Sequence, residues 1–134
     1  MENEGDVKKE VKKILKSIGA DWFMPAANGF GRAGVSDIIV NYRGRFVAIE
    51  TKFGKNKPTN NQMVFGRSTH EQGGLFLVIS EKNLHWVEPE MRAFYLGWKP
   101  PHPNLRFSDE TPGGIYKDVL ERWRPPEWQE STQC

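Results

Sequence analysis

Apolar residues change their spacing along the chain, from a helical period near the start to strand-like runs further on. Residues 6–18 carry apolar side chains every three or four positions, which predicts an amphipathic helix. Asp6 suits the capping position of this helix, and Gly19 suits the position after its last turn. Residues 21–26 favour a first strand, and residues 28–34, N-G-F-G-R-A-G, predict a loop.

Lysines occupy much of the polar surface of this helix. They are Lys8, Lys9, Lys12, Lys13 and Lys16. Two interpretations stay open: a solvated face, or phosphate contacts that would make nucleic-acid binding depend on salt. Glu10 borders the apolar stripe, where it either leans toward the sheet or pairs with Lys13 three residues on.

Two runs rich in β-branched and aromatic residues then predict a hairpin. They are residues 36–42, S-D-I-I-V-N-Y, and residues 45–52, R-F-V-A-I-E-T-K, with an Arg-Gly pair between them. A two-residue loop brings Asp37 opposite Glu50, with Cβ atoms roughly 5 Å apart. Lys52 then projects from the same face as Glu50. A longer loop or a bulge would shift this register by one residue.

Two facing carboxylates repel each other, so the predicted hairpin needs a compensating charge. Mg²⁺ provides one, since proteins hold this ion by one or two carboxylates together with water and substrate phosphate. The other interpretation is a surface hairpin whose acids are solvated or paired with Lys52. The hairpin alone does not decide between the two.

After the hairpin the pattern predicts a second helix and a buried strand. Thr59 and Gln62 have the spacing of a capping box, and the helix is expected to run to about Gln72. Residues 75–80, L-F-L-V-I-S, are continuously apolar, which indicates a strand buried on both faces. A short strand at 84–87, a helical turn at 91–96 and a further helix at 115–123 are also expected.

Composition sets limits on the class of protein. The 134 residues are 37% hydrophobic and 27% charged, which suits one compact domain with a core. The net charge of +2 indicates that any DNA site is a local patch. Cys134 is the only cysteine, which excludes an internal disulfide. No apolar run could span a bilayer and no signal-peptide core is present, so we expect an intracellular, cytoplasmic protein without a membrane partner.

Motifs for several other chemistries are missing from the sequence. The letters G-x-G-x-x-G within residues 29–34 lead into a strand rather than a helix, and no Walker A motif occurs, so no nucleotide cofactor is expected. The three histidines lack the spacing of a zinc site. His70 lies on the second predicted helix, where we expect it at the surface.

Part of the sequence resembles the motifs of the PD-(D/E)xK nuclease superfamily. The matching residues, in chain order, are Gly34-x-x-Asp37, Glu50-x-Lys52 and Gln62. Within that superfamily the sequence is most similar to VRR-NUC domains of the stand-alone viral type, over roughly residues 7–88. Ser36 stands where that family often has proline, at a position that is not a ligand.

The resemblance implies an α/β fold with a restriction-endonuclease-like αβββαβ core and a mixed sheet flanked by helices. Residues 1–96 would form the nuclease domain. Residues 97–134, rich in proline and tryptophan, would be an irregular C-terminal extension packed on the domain or on a second subunit.

The implied activity is metal-dependent hydrolysis of DNA phosphodiester bonds. Asp37 and Glu50 would bind Mg²⁺ or Mn²⁺ with the Thr51 carbonyl, and Glu10 would complete a second metal position. Lys52 would position the attacking water or stabilise the phosphorus centre, and Gln62 would assist. DNA contacts are expected from Arg32, Lys55 and Lys57.

The partners implied are branched or duplex DNA and a second copy of the chain, since relatives made of this domain alone are often viral, dimeric and active on branched DNA. Junction or flap cleavage, in the host cytoplasm for a viral protein, is the corresponding expectation. Two alternatives remain: a DNA-binding module that keeps the fold without catalysis, and an interaction protein whose acidic pair is incidental.

Overall fold

The computed structural model of the protein describes residues 1–26 and 33–97. Its elements follow the predicted order of one helix, three strands, a helix and a strand, after which come a 3₁₀ turn and a third helix. They are α1 (Glu4–Ser17), β1 (Asp21–Phe23), β2 (Ile38–Tyr42), β3 (Arg45–Thr51), α2 (Asn60–Glu71), β4 (Leu75–Ile79), the 3₁₀ turn (Leu84–Trp86) and α3 (Val87–Tyr95).

Within the described ranges the strands form one mixed sheet in the order β1-β2-β3-β4. Strand β2 is antiparallel to β1 and to β3, whereas β3 and β4 are parallel. A parallel pair needs a crossover connection, and α2 supplies it. The predicted class, an α/β fold with a mixed sheet flanked by helices, is confirmed.

The β2–β3 hairpin has the predicted register, with Tyr42 opposite Arg45 and Ile38 opposite Ile49. Arg43 and Gly44 form its two-residue loop with φ values of 53° and 85°. Positive φ at both central residues is the mark of a type I′ turn, whose twist matches that of the flanking strands. Asn41 Oδ1 accepts the Gly44 N–H at 2.9 Å and closes the loop further.

Helices cover both faces of the sheet. The Phe76 ring of β4 lies against Gly66 of α2, where any Cβ would come within 2.4 Å of a ring carbon. The Tyr42 ring contacts Tyr95 of α3, with centroids 6.0 Å apart. Because the strand register puts Phe76 and Tyr42 on opposite faces, α2 and α3 lie on opposite sides. All five side chains of β4 are buried, as predicted.

Helix α1 begins earlier than the sequence pattern indicates. We predicted a start at Asp6, but the helix begins at Glu4 because Asn3 is the capping residue. The Asn3 Oδ1 atom accepts the Asp6 N–H at 3.0 Å, and Asp6 Oδ2 accepts the Glu2 N–H at 2.8 Å. Capping of this kind satisfies amide groups that the first turn leaves without partners. Gly19 follows the helix with φ 73°, as expected.

Two further predictions about local structure are wrong, the strand at 84–87 and the end of β1 at Ala26. Residues 84–87 are not a strand: they form the 3₁₀ turn and the first residue of α3. The helical turn predicted at 91–96 is confirmed as part of α3, which begins at Val87 and ends at Tyr95. Pro89 is in the first turn of that helix, where its missing N–H costs no hydrogen bond. Strand β1 ends at Phe23, short of the predicted Ala26.

Side chains cap the outer edge of β4. His70 Nε2 accepts the Phe76 N–H at 2.9 Å, and Asn83 Nδ2 donates to the Val78 carbonyl at 3.0 Å. Both backbone groups point away from β3, so these bonds block the addition of a further strand. His70 is therefore buried in a structural role, and the predicted surface position is wrong.

Helix α3 carries a fully buried carboxyl group. Glu90 has no exposed surface, and neither of its oxygens has a hydrogen-bond partner in the part of the chain that the structure describes. Burial raises the pKa of Glu90 to about 8, so the group is protonated at neutral pH.

Several predictions concern residues outside the described ranges. They are the loop position of Arg32, the helix at 115–123 and the packing of the extension beyond Gly97. Among the residues that are described, no helix combines the length and apolar character needed to cross a membrane.

Candidate active site

Asp37 lies just before β2 and is bound to the end of β3. Its Oδ2 atom accepts two hydrogen bonds from Thr51, one from the backbone N–H at 2.9 Å and one from the hydroxyl at 2.8 Å. The Oδ1 atom is 3.7 Å from the ammonium group of Lys8 in α1. One oxygen therefore fixes the carboxylate to the sheet, while the other faces the ends of α1 and β3.

Glu50 is almost completely enclosed, with an exposed fraction of 1%. Its Oε1 atom accepts a hydrogen bond from Gln62 Nε2 at 3.0 Å and is 3.8 Å from Lys52 Nζ. Its Oε2 atom has no hydrogen-bond partner among the described residues. A buried carboxylate oxygen without a donor is costly unless something else compensates it.

Gln62 connects the site to α2. Its Oε1 atom accepts the Thr59 N–H at 2.8 Å, while the Thr59 hydroxyl accepts the Gln62 N–H at 3.2 Å, which completes the predicted capping box. The amide nitrogen is thereby directed at Glu50. The two interpretations of Gln62, as a helix cap and as a member of the site, are compatible because each uses a different atom of the amide.

Gly34 brings the loop before Asp37 against the first turn of α2. It has φ 78°, and a Cβ built there would lie 2.4 Å from the backbone carbonyl of Asn61. Only glycine combines this conformation with so close an approach. The glycine three residues before Asp37 thus fixes the distance between that carboxylate and the helix that carries Gln62.

A third carboxylate joins the pair. Glu4, Asp37 and Glu50 each offer an oxygen, and the three oxygens lie within 4.8 Å of one another. Glu4 and Lys8 are one helical turn apart on α1, and both face this site. The sequence pattern missed Glu4 because it placed the helix start at Asp6. Asn3 followed by acidic residues was the available signal.

Glu10 lies outside this carboxylate cluster. Its carboxylate contacts Lys13 Nζ at 3.2 Å. This is the ion pair with Lys13 that the sequence offered as the alternative to a place near the sheet. Six residues separate Glu10 from Glu4, so their side chains differ by about 240° around the helix axis. Glu4 and Glu10 therefore border opposite sides of the buried stripe, and it is Glu4 that approaches Asp37 and Glu50.

The electrostatics of the cluster favour a bound cation. Three carboxylates face two ammonium groups, Lys8 and Lys52, which leaves one net negative charge if every group is ionised. Burial, and after it the charge of Asp37, raises the pKa of Glu50 to about 9. Without a cation, a proton occupies Glu50 at neutral pH.

The residues present fit a divalent metal ion. The uncompensated Glu50 Oε2, the Asp37 Oδ1 and the Glu4 carboxylate are oxygen ligands of the type that Mg²⁺ and Mn²⁺ prefer. The N–H and hydroxyl of Thr51 hold Asp37. The Lys52 N–H donates to the Ile79 carbonyl at 2.9 Å, so the hydrogen bonding between β3 and β4 extends one residue past the end of β3. The Lys52 side chain is largely buried.

The predicted DNA-binding residues are not part of the carboxylate cluster. Lys55 and Lys57 are exposed on the loop between β3 and α2. The Gly54 N–H donates to the Glu81 carboxylate at 3.1 Å, which anchors this loop. Arg32 lies outside the described residues.

Comparisons with known proteins agree with this architecture. A solved structure described as a "VRR_NUC domain" matches with a TM-score of 0.55 and 23% sequence identity. The match covers 66% of this chain and 94% of that structure. No protein-family model and no curated protein matches the sequence.

The protein is thus an α/β protein whose mixed sheet brings three carboxylates together at the end of its central hairpin. More closely, it has the fold of a VRR_NUC domain, a nuclease-like fold, as the sequence resemblance implies.

Proposed function

We propose that the chain is a metal-dependent nuclease of the VRR-NUC family that hydrolyses phosphodiester bonds in DNA. One observation carries the proposal: the buried Glu50 Oε2, without a donor among the described residues, lies in a cluster with Asp37 and Glu4. A structural ion pair would satisfy that oxygen, whereas a metal site requires it to be available.

The proposed ligands are the carboxylates of Glu4, Asp37 and Glu50, with the Thr51 carbonyl. A bound Mg²⁺ or Mn²⁺ would lower the pKa of a coordinated water and stabilise charge on the phosphate. The two hydrogen bonds from Thr51 keep Asp37 fixed before substrate arrives. Such preorganisation avoids the cost of moving charged groups during the reaction.

Lys52 is the proposed group for orienting the attacking water and offsetting charge on the scissile phosphate. Its ammonium is 3.8 Å from Glu50 Oε1, and its side chain is only 12% exposed, so few positions are open to it. Gln62 acts on Glu50 by holding Oε1 through Nε2. Lys55 and Lys57 are proposed to contact the DNA strand beyond the cleaved bond.

A cleavage panel tests the proposal. Wild-type protein is incubated with Mg²⁺ or Mn²⁺ and single-stranded, duplex, nicked, flap or four-way junction DNA. We expect metal-dependent cleavage that Glu50→Gln and Lys52→Ala abolish while circular dichroism stays unchanged. Binding without cleavage of any substrate would contradict the proposal and favour a non-catalytic DNA-binding module. Equal cleavage by Glu50→Gln would also contradict it.

Preference for a junction or flap, and assembly as a homodimer, form a finer part of the proposal. Exposed Phe23 and Phe46 border an apolar groove on the sheet, a surface that a second copy would cover. Sedimentation velocity gives the mass in solution, and the panel above gives the substrate preference. A monomeric mass would contradict the proposed homodimer. Equal cleavage of duplex, flap and junction DNA would contradict the proposed substrate preference.

A further inference from the structure

A row of charged residues runs along α1 from the carboxylate cluster. Glu4, Lys8, Lys12 and Lys16 follow one another at intervals of four residues. Each interval rises about 6 Å along the axis and turns about 40° around it. Glu4 belongs to the carboxylate cluster, and Lys8 Nζ is 3.7 Å from Asp37 Oδ1. The row therefore starts at the proposed reaction centre and leads away from it.

The middle lysine of the row has a defined position. Lys12 Nζ lies over the Trp22 ring, 5.7 Å from its centroid. A cation–π contact of this kind holds the ammonium group without neutralising it. Among the described residues, no carboxylate oxygen comes within 4 Å of the ammonium group of Lys12 or Lys16. Both charges are thus available to an anion.

Lys9 and Lys13 are the other two lysines of the same helix. Each follows a lysine of the row by one residue, so its side chain projects about 100° further around the axis. Lys13 is already paired with Glu10 at 3.2 Å. Lys13, at about 180° from Glu4 around the axis, therefore points furthest from the carboxylate cluster, whereas Lys9 projects within about 20° of Lys16.

We propose that the backbone of the bound DNA strand leaves the carboxylate cluster along α1, with successive phosphates contacted by Lys12 and Lys16. This inference rests on the proposed nuclease function, and it names the surface that the substrate occupies. Steps of about 6 Å along the helix are comparable to the separation of neighbouring phosphates along a strand. Contacts to phosphate set register and affinity without reading sequence.

The salt dependence of binding measures these contacts directly. The logarithm of the binding constant falls with the logarithm of the salt concentration. Each phosphate contact releases counterions and increases the magnitude of this slope by about 0.7 for a single strand, or about 0.9 for a duplex. The double variant Lys12→Gln/Lys16→Gln is expected to reduce the magnitude of the slope by about 1.4 on single-stranded DNA. Lys12→Arg/Lys16→Arg keeps both charges and is expected to retain the wild-type slope.

The matched control is Lys13→Gln, compared with the single variant Lys12→Gln, because each removes one positive charge from neighbouring positions of the same helix. Glutamine and lysine have similar helix propensities, so all of these variants are expected to fold, as circular dichroism can verify. Binding is measured by fluorescence anisotropy with Ca²⁺ in place of Mg²⁺. We expect Lys12→Gln to reduce the magnitude of the slope by about 0.7, the contribution of a single contact, and Lys13→Gln to leave it at the wild-type value.

Hydrolysis of bis(p-nitrophenyl) phosphate with Mn²⁺ separates this inference from the proposed function, because that substrate carries only the phosphate that is hydrolysed and offers none to Lys12 or Lys16. The Lys12→Gln/Lys16→Gln variant is expected to hydrolyse it at the wild-type rate. A slope equal to wild type in the double variant, or an equal loss in Lys13→Gln and Lys12→Gln, would overturn the inference while leaving the nuclease proposal intact. Wild-type protein that binds no DNA would also overturn it.

Discussion

Gln62 holds Glu50 and the start of α2 through the two ends of one amide group. Its Nε2 donates to Glu50 Oε1 at 3.0 Å, and its Oε1 accepts the Thr59 N–H at 2.8 Å. Glu50 is consequently fixed from outside its own strand. The position of a buried carboxylate in this site depends on the capping geometry of a neighbouring helix.

Gln62→Glu separates the two roles of this residue. Glutamate retains the capping box but replaces the donor to Glu50 by a carboxylate. We expect the unfolding free energy to fall by about 1–3 kcal/mol, because Glu50 Oε1 loses its donor inside the protein while the helix cap is kept. Cleavage is expected to fall about 10- to 100-fold, as is typical when a partner of a metal ligand is lost. Urea unfolding and single-turnover cleavage give the two quantities, and a variant with wild-type cleavage would refute the role of Nε2.

Glu4→Gln and Glu10→Gln form a matched pair on α1. Removal of a ligand carboxylate weakens the attraction for a hard cation, so Glu4→Gln is expected to weaken Mn²⁺ binding at least about tenfold. Glu10 pairs only with an exposed lysine among the described residues, and Glu10→Gln is expected to leave Mn²⁺ binding unchanged. Titration calorimetry compares the two. The reverse outcome would restore Glu10 as the metal ligand implied by the resemblance.

The contrast between Glu50 and Glu4 explains how much of this site the sequence predicts. Asp37 lies opposite Glu50 because the hairpin loop has two residues and because side chains alternate between the two faces of a strand. Both features can be read from the local sequence. The contribution of Glu4 depends on where a helix begins, and Asn3 moved that point by two residues. Helix ends are set by single capping bonds, so residues near them are the hardest to assign from periodicity.

Contacts between residues far apart in the sequence account for the other differences between the sequence predictions and the structure. His70 is buried because the N–H of Phe76 at the edge of β4 needs an acceptor, a requirement that a helical pattern does not contain. The 84–87 segment has apolar residues suited to a strand, but β4 already has its outer edge capped by Asn83 and His70. A further strand has no place to pair there.

Metal binding is expected to release a proton, because the pKa of Glu50 is raised to about 9 by burial and by the charge of Asp37. A ligand carboxylate must be ionised, so Mn²⁺ affinity should increase as pH rises toward 9. At pH 7.5, calorimetry in buffers of different ionisation enthalpy should give about one proton per ion bound. Glu50→Gln should release none, and equal heats in all buffers for wild type would contradict the assignment.

The same shift makes the metal-free protein less stable at high pH. The folded state binds the Glu50 proton more tightly than the unfolded state, whose pKa is near 4.5. The resulting stabilisation is therefore complete below pH 4.5 and is lost as pH rises toward 9. Glu50→Gln should flatten this part of the profile, which urea unfolding at several pH values will measure.

Gly34→Ala is expected to damage both the fold and the site. Alanine at φ 78° costs about 1–2 kcal/mol, and its Cβ would overlap the Asn61 carbonyl, which adds about 1–3 kcal/mol. Gly73→Ala is the control, since Gly73 has φ 88° and no atom within 4 Å of the added Cβ. Equal losses of unfolding free energy in the two variants would show that the contact with Asn61 is unimportant.

Glu4, Asp37 and Glu50 are proposed to share one divalent cation. Crystals soaked in Mn²⁺ and measured near the manganese absorption edge give its position directly from the anomalous difference map. We expect a peak about 2–2.5 Å from an oxygen of each of the three carboxylates. A map with no peak there, from protein that cleaves DNA under the same Mn²⁺ concentration, would contradict this proposal.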